Sequence, residues 1–160
     1  MIYVGYQGVG KSSIAGKNGC IDLESGNFWI DGERPNNWYK IYANIAEHLS
    51  RQGYNVFISS HKIVRRELAN RGIEYCTIAP APELKDKWID RLQKRYDQTG
   101  LEKDYKALMN AKDCYGENVL DLINDDKSVM SVLILSADYD LYEEINELSK
   151  QYNNKSIRIL

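Results

Sequence analysis

Five short apolar runs alternate along this chain with stretches of helical periodicity, and that alternation constrains the fold more than any other feature. The runs are "MIYVG" (1–5), "CIDLE" (20–24), "YNVFISS" (54–60), "IEYCTIA" (73–79) and "SVMSVLILS" (128–136). Short apolar runs of this kind suit strands buried on both faces of a parallel sheet. In 36–52 between them, Trp38, Ile41, Tyr42, Ile45 and Leu49 recur at helical steps, and Gly53 follows as a stop signal. Ser60 is placed to cap a helix over 61–71 that Gly72 closes. Residues 83–98 set Leu84, Trp88, Leu92 and Tyr96 on one face. The stretch 102–123 carries Tyr105, Leu108, Val119, Leu122 and Ile123, with an interruption expected at Gly116, and 140–151 is anchored by Leu141, Ile145 and Leu148. Strands alternating with helices imply right-handed crossovers and an α/β fold with its parallel sheet covered on both faces.

Two regions fall outside this pattern. Residues 25–36, "SGNFWIDGERPN", are rich in turn formers, and 97–104, "DQTGLEKD", breaks an otherwise very long helical stretch. Irregular segments of this kind carry substrate or lid functions. The sequence therefore suggests a single domain over 1–160, with an acceptor-binding segment at 25–37 and a lid at about 91–104.

Composition excludes several classes. A formal charge of −2, from 21 basic and 23 acidic residues, gives no bulk electrostatic reason to expect a nucleic-acid partner. Cys20, Cys76 and Cys114 are odd in number and widely spaced, and read as reduced thiols that fill the core. No signal series opens the chain, and no apolar run approaches the roughly 20 residues that span a bilayer. A soluble, cytoplasmic protein, monomeric or homodimeric and free of membrane partners, is the expectation.

The stretch "GYQGVGKSS" satisfies G-x4-G-K-[ST], with Gly5, Gly10, Lys11 and Ser12 in the fixed positions and Gln7, Gly8, Val9 and Ser13 completing the loop. It follows a strand and opens a helix, the context the motif requires. Glycines let backbone N–H groups approach phosphate oxygens, Lys11 would bridge the β- and γ-phosphates, and the Ser12 hydroxyl would face Mg²⁺. A very short first helix, ended by Gly16 and Gly19, brings Asp22 close behind the loop. A carboxylate there can hold a Mg²⁺ water or accept the proton of an attacking hydroxyl, and Glu24 shares its side of the strand. The alternative is that either residue caps a strand end or pairs with a lysine.

Basic residues follow at two places. Lys62, Arg65 and Arg66 start the helix after the third run, at the edge where parallel sheets bind ligands, with His61 beside them as a capping group. Lys87, Arg91 and Arg95 are spaced four apart along 83–98 and run toward the 97–104 junction, where a closing lid would bring cations to a transferring phosphoryl group. The alternative for each set is a solvated helix face, and for Arg91 and Arg95 the place beside the junction favours phosphate binding.

Taken in order, these segments resemble the small P-loop kinases of the nucleoside monophosphate kinase type, including the shikimate and gluconate kinases. "GYQGVGKSS" is similar to their phosphate loop, and "IDLESGNFW" to the segment whose aspartate faces the acceptor. "VFISSHKIVRREL" resembles the strand and basic helix that bind the acceptor, "WIDRLQKR" the lid-flanking arginines, and "VLILSADYDLYEEINEL" the last strand, adenine loop and final helix. The overall texture also resembles nucleotide kinases encoded by bacteriophages.

The resemblance implies a P-loop NTPase fold, three layers α/β/α, with sheet order 2-3-1-4-5 and ATP and Mg²⁺ as cofactors. It implies catalytic roles for Lys11, Asp22, Arg91 and Arg95, and acceptor binding by Asp22 and Arg66, to which the residues themselves add Glu24, Trp29 and Lys62. Phe28, Trp29 and Trp38 lie in or beside a segment able to stack on a base. That tilts the acceptor toward a (deoxy)nucleoside monophosphate, with a gluconate- or shikimate-type acid as the alternative, and Trp38 is equally at home on an apolar helix face. Two further readings stand beside the kinase: a RecA-like DNA-associated ATPase, in which "GKSSIAGKNGCIDLES" is also at home, and a non-catalytic nucleotide-binding domain.

Overall fold

The computed structural model describes residues 1–153, with side chains to residue 148; residues 154–160 of the expected domain lie outside the described residues. Its strands are β1 (Ile2–Gly5), β2 (Cys20–Asp22), β3 (Asn55–Ser59), β4 (Cys76–Pro80) and β5 (Met130–Ile134). They form one all-parallel sheet in the order β2-β3-β1-β4-β5. β1 and β4 are buried along their whole length, which is why their sequences are apolar at consecutive positions instead of alternating.

The helices are α1 (Lys11–Ile14), α2 (Trp38–Arg51), α3 (Lys62–Asn70), α4 (Lys85–Thr99), α5 (Glu102–Ile123) and α6 (Leu141–Asn153). Helices α2 and α3 pack together, as do α4 and α5, and an ion pair from Arg65 to Asp121 joins α3 to α5. Helix α1 instead meets α6. Tyr42, Trp88 and Tyr115 supply large buried side chains beside the sheet residues Ile2, Phe57, Ile58 and Ile78. Cys20 and Cys76 are buried free thiols, as expected, and Cys114 is half-buried. Among the described residues no helix is long and apolar enough to cross a membrane.

Strands β2 and β5 are shorter than the expected runs 20–24 and 128–136, and four further local expectations differ from the structure. The fourth strand spans Cys76–Pro80 instead of 73–79, because pairing with β1 begins only where Tyr3 meets Cys76. His61, not Ser60, occupies the cap position of α3, and no side chain closes the cap. The break in α5 falls at Cys114 (φ −129°, ψ 21°), not at Gly116. The irregular junction 97–104 contracts to Gly100 and Leu101, so that α4 and α5 form a tight helical hairpin.

Candidate functional site

The loop that follows β1 is held from outside by its neighbours. Tyr6 donates its backbone N–H to the Ile78 carbonyl (2.9 Å), Trp88 Nε1 donates to the Gln7 carbonyl (2.8 Å) and the Tyr139 hydroxyl to the Val9 carbonyl (2.7 Å). Gly8 and Gly10 have φ of 83° and 91°, a region costly for any residue with a Cβ. A Cβ on Gly8 would also sit 3.0 Å from the Trp88 indole nitrogen. The side chain of Gln7, expected to face a nucleotide, instead donates to the Ala107 carbonyl (2.7 Å) and Asn110 Oδ1 (3.1 Å), pinning the loop to α5.

Three of the residues expected to be functional converge behind this loop. Ser12 Oγ donates to Asp22 Oδ2 at 2.9 Å, a contact made possible by an α1 of four residues. Lys11 folds back so that Nζ donates to the carbonyls of Gly5 (3.1 Å) and Tyr6 (3.3 Å). Desolvation lowers the Lys11 pKa, while the charges of Asp22 and Glu24 oppose that shift. Burial raises the Asp22 carboxyl above the ordinary range, against the Ser12 hydrogen bond and the Lys11 charge. Glu24 lies beside this group and pairs with Lys103 at 3.3 Å. A hydroxyl and a carboxylate in contact offer the hard oxygen donors that Mg²⁺ takes from protein when phosphates and waters complete its shell. Among the described residues no three His, Cys, Asp or Glu side chains cluster as a metal centre, and a Mg²⁺ held in that manner needs no such cluster.

On the β4 side of the loop stand the two arginines of α4. The Arg91 guanidinium lies 5.2 Å from the ring centroids of both Trp88 and Tyr139 and donates to the Ala137 carbonyl (3.4 Å). Arg95 pairs with buried Asp104 at 2.9 Å, and its charge is among those that lower the Lys11 pKa. Asp104 also accepts from Thr99 Oγ1 (2.5 Å), so one carboxylate fastens the end of α4 to the start of α5.

Lys62 and Arg66 are not brought to this group. Helix α3 turns Arg65 inward, where it pairs with Asp121 and, at 2.5 Å, with Asp125. Lys62 follows it and pairs with Asp121 at 2.6 Å. Lys62 and Arg66 then line, with Tyr75, Asp121 and Asp125, a cavity of about 310 Å³ in which no residue of the glycine loop takes part. The expected acceptor contacts of α3 are thus displaced by an electrostatic lock between α3 and α5.

On the β2 side, the segment 25–37 is ordered by a short 3₁₀ turn (Ser25–Phe28) and a two-residue turn at Asp31 and Gly32. Both turn residues have positive φ (50° and 85°), and Ile30 and Glu33 exchange backbone hydrogen bonds of 2.8 and 3.0 Å, the geometry Asp-Gly favours. This fold-back delivers Arg34, which sequence reasoning missed. Its guanidinium lies 4.3 Å from the Trp38 ring and 5.0 Å from the Trp29 ring. Nη2 donates to the Ser25 carbonyl (3.1 Å) and hydroxyl (3.3 Å), and Nη1 lies 3.4 Å from His61 Nε2. Burial, with the charges of Arg34 and Lys11, pushes the His61 pKa down to about 4, which leaves the ring neutral at pH 7. Trp29 is half-exposed, with Lys106 of α5 5.4 Å from its ring centroid. Trp38 is buried and packs with Phe28, Tyr42 and His61. The only signal for Arg34 in the sequence is its place just after an Asp-Gly turn and just before a tryptophan.

No family model matches this chain, and no curated protein matches it at a significant level.

Proposed function

We propose that the protein is a P-loop kinase that transfers the γ-phosphoryl group of ATP·Mg²⁺ to a small acceptor, with a (deoxy)nucleoside monophosphate as the favoured class. The observation that carries this reading is the convergence of Lys11, Ser12 and Asp22: the Ser12–Asp22 contact is 2.9 Å, and the Asp22 charge acts on Lys11. The sheet order and the loop after β1 support the same fold reading, a three-layer P-loop NTPase.

On this reading the backbone of residues 5–13 wraps the β- and γ-phosphates, and Lys11 exchanges its two carbonyl contacts for phosphate oxygens. Ser12 and Asp22 would hold Mg²⁺, which would supply charge neutralisation. Asp22, its carboxyl raised by burial, would help to hold the metal or would take the acceptor's proton. Arg91 and Arg95 approach from α4 and neutralise charge on the transferring group, Arg95 by exchanging its bond to Asp104. Catalysis of this kind is positioning and electrostatic stabilisation around a loose transition state.

The test is an acceptor panel: purified protein, ATP·Mg²⁺, the common nucleoside monophosphates and small hydroxy acids, with ADP release followed. ADP release that depends on a monophosphate is expected, and Lys11→Ala abolishes it while the circular dichroism spectrum stays native. Absence of acceptor-dependent turnover across the panel, or full activity in Lys11→Ala, defeats the proposal. DNA-stimulated hydrolysis without any acceptor would favour a RecA-like ATPase instead, and tight ATP binding without turnover a non-catalytic domain.

A further inference from the structure

We infer that Arg34 is the seat of the acceptor's own anionic group, a phosphate monoester, and that it takes the part expected of Lys62 and Arg66. The inference rests on the phosphoryl-transfer reading for the identity of the site, and on three observations about Arg34 itself.

The first is charge. Arg51, Arg65, Arg71 and Arg95 each meet a carboxylate, whereas Arg34, like Arg66 and Arg91, makes no ion pair among the described residues. Its protein partners are a serine, a neutral histidine and two indole faces, none of which cancels its charge. The second is cost. Arg34 Nε is buried with no hydrogen-bond partner, and desolvation lowers the pKa of the group. An anion that accepts from this guanidinium would offset the cost of its half-buried charge.

The third is place. Arg34 lies in the connection between β2 and α2 and touches His61 just after β3, while Arg91 and Arg95 belong to α4, after β4. With β1 in the middle of the sheet, the glycine loop separates these two sets of arginines. Transfer between two phosphorylated molecules brings two anions to one sheet edge and needs cations on both flanks. Arg34 supplies the flank opposite α4, and its cluster reaches the backbone of Leu23, next to Asp22. Trp38 packs on Tyr42, whose hydroxyl donates to the Leu23 carbonyl and accepts the Ser59 N–H (3.0 Å).

A guanidinium gripped between two indoles has little rotamer freedom left to lose, and its planar fork suits the oxygens of a phosphate monoester. Arg91 also meets two aromatic rings without a carboxylate among the described residues, but it lies beside Trp88 and Tyr139, which stack on each other with centroids 6.2 Å apart. On the inference, Arg34 serves the acceptor side and Arg91 the donor side.

The experiment compares wild type, Arg34→Gln and Arg34→Lys. Binding of nucleoside monophosphates, their unphosphorylated nucleosides, gluconate and inorganic phosphate is followed by tryptophan fluorescence, since Trp29 and Trp38 flank the site. ATP·Mg²⁺ affinity and acceptor-dependent turnover are measured in parallel. Expected are monophosphate binding at least about tenfold tighter than that of the matching nucleoside, and a rise of roughly 10- to 100-fold in acceptor Kd and KM in Arg34→Gln. Arg34→Lys should recover part of this loss, with ATP affinity unchanged in both variants. Unaltered acceptor KM in Arg34→Gln overturns the inference and leaves the kinase reading standing. Binding of gluconate in preference to monophosphates overturns the phosphate class. Monophosphate binding lost in Arg34→Gln, in a protein that turns over no acceptor, upholds the anion seat and defeats the kinase reading. If wild type binds neither monophosphate nor phosphate, the inference fails whatever the ATPase activity.

Discussion

At the scale of single residues, the site is governed by groups held away from their ordinary charge balance. Lys11 is desolvated, Asp22 is raised, and His61 is pushed down to about 4 by burial beside Arg34. The histidine has a consequence for stability. Its folded pKa lies below the value of 6.5 it has when free, so between those two values the unfolded chain binds more protons and folding weakens as the pH falls. Lowering the pH from 7 to 4 should therefore remove on the order of 3 kcal/mol through this group. In His61→Asn that part of the acid sensitivity disappears, which urea unfolding at pH 7 and pH 4.5 would read as a smaller difference between the two midpoints. An unchanged pH dependence would mean that His61 is solvated in the folded protein.

At the scale of elements, the α3–α5 contact and the α4–α5 hairpin show what local sequence leaves open. End signals at Ser60 and Gly72 placed α3, but that its inward face buries Arg65 beside Val64 and Leu68 depends on Asp121 and Asp125, far away in sequence. Those two acids draw in Arg65 and bring Lys62 with it. The same long-range dependence hid Arg34, whose meaning arises only when the Asp31–Gly32 turn folds it onto Trp38 and His61. Lys11, Ser12 and Asp22 were legible because the loop motif and a four-residue helix place them by local geometry alone. Because Asp125 is almost fully buried, Arg65→Ala should cost about 3–5 kcal/mol by leaving that carboxylate without its cation. Chemical denaturation would measure this. A loss below 1 kcal/mol would mean that water reaches Asp125 and replaces the arginine. Arg65→Met, which keeps bulk and loses charge, separates packing from electrostatics.

At the scale of the whole molecule, the five apolar runs and the helices between them were readable because buried parallel strands and amphipathic helices leave different periods in a sequence. Strand ends were less so, since pairing register decides them. The loop ties β1, α4 and α5 together through Gln7 and Trp88, so a ligand held there should stabilise the fold globally. With ATP·Mg²⁺ at about a hundred times its Kd, linkage adds about 2.7 kcal/mol, or roughly 5–10 °C in Tm for a chain of this size. A thermal melt should show that shift in wild type and lose it in Lys11→Ala, and no shift in wild type would argue against nucleotide binding. The sheet order also bears on how the protein is made. β1 sits in the middle, yet its neighbours enter only with Val56 and Cys76. At ~5–20 residues per second the strand waits roughly 3 to 11 s on the ribosome before its first partner, β3, has been synthesised, and up to about 15 s for β4. The strand most protected in the finished molecule is thus the one longest open to mispairing during translation.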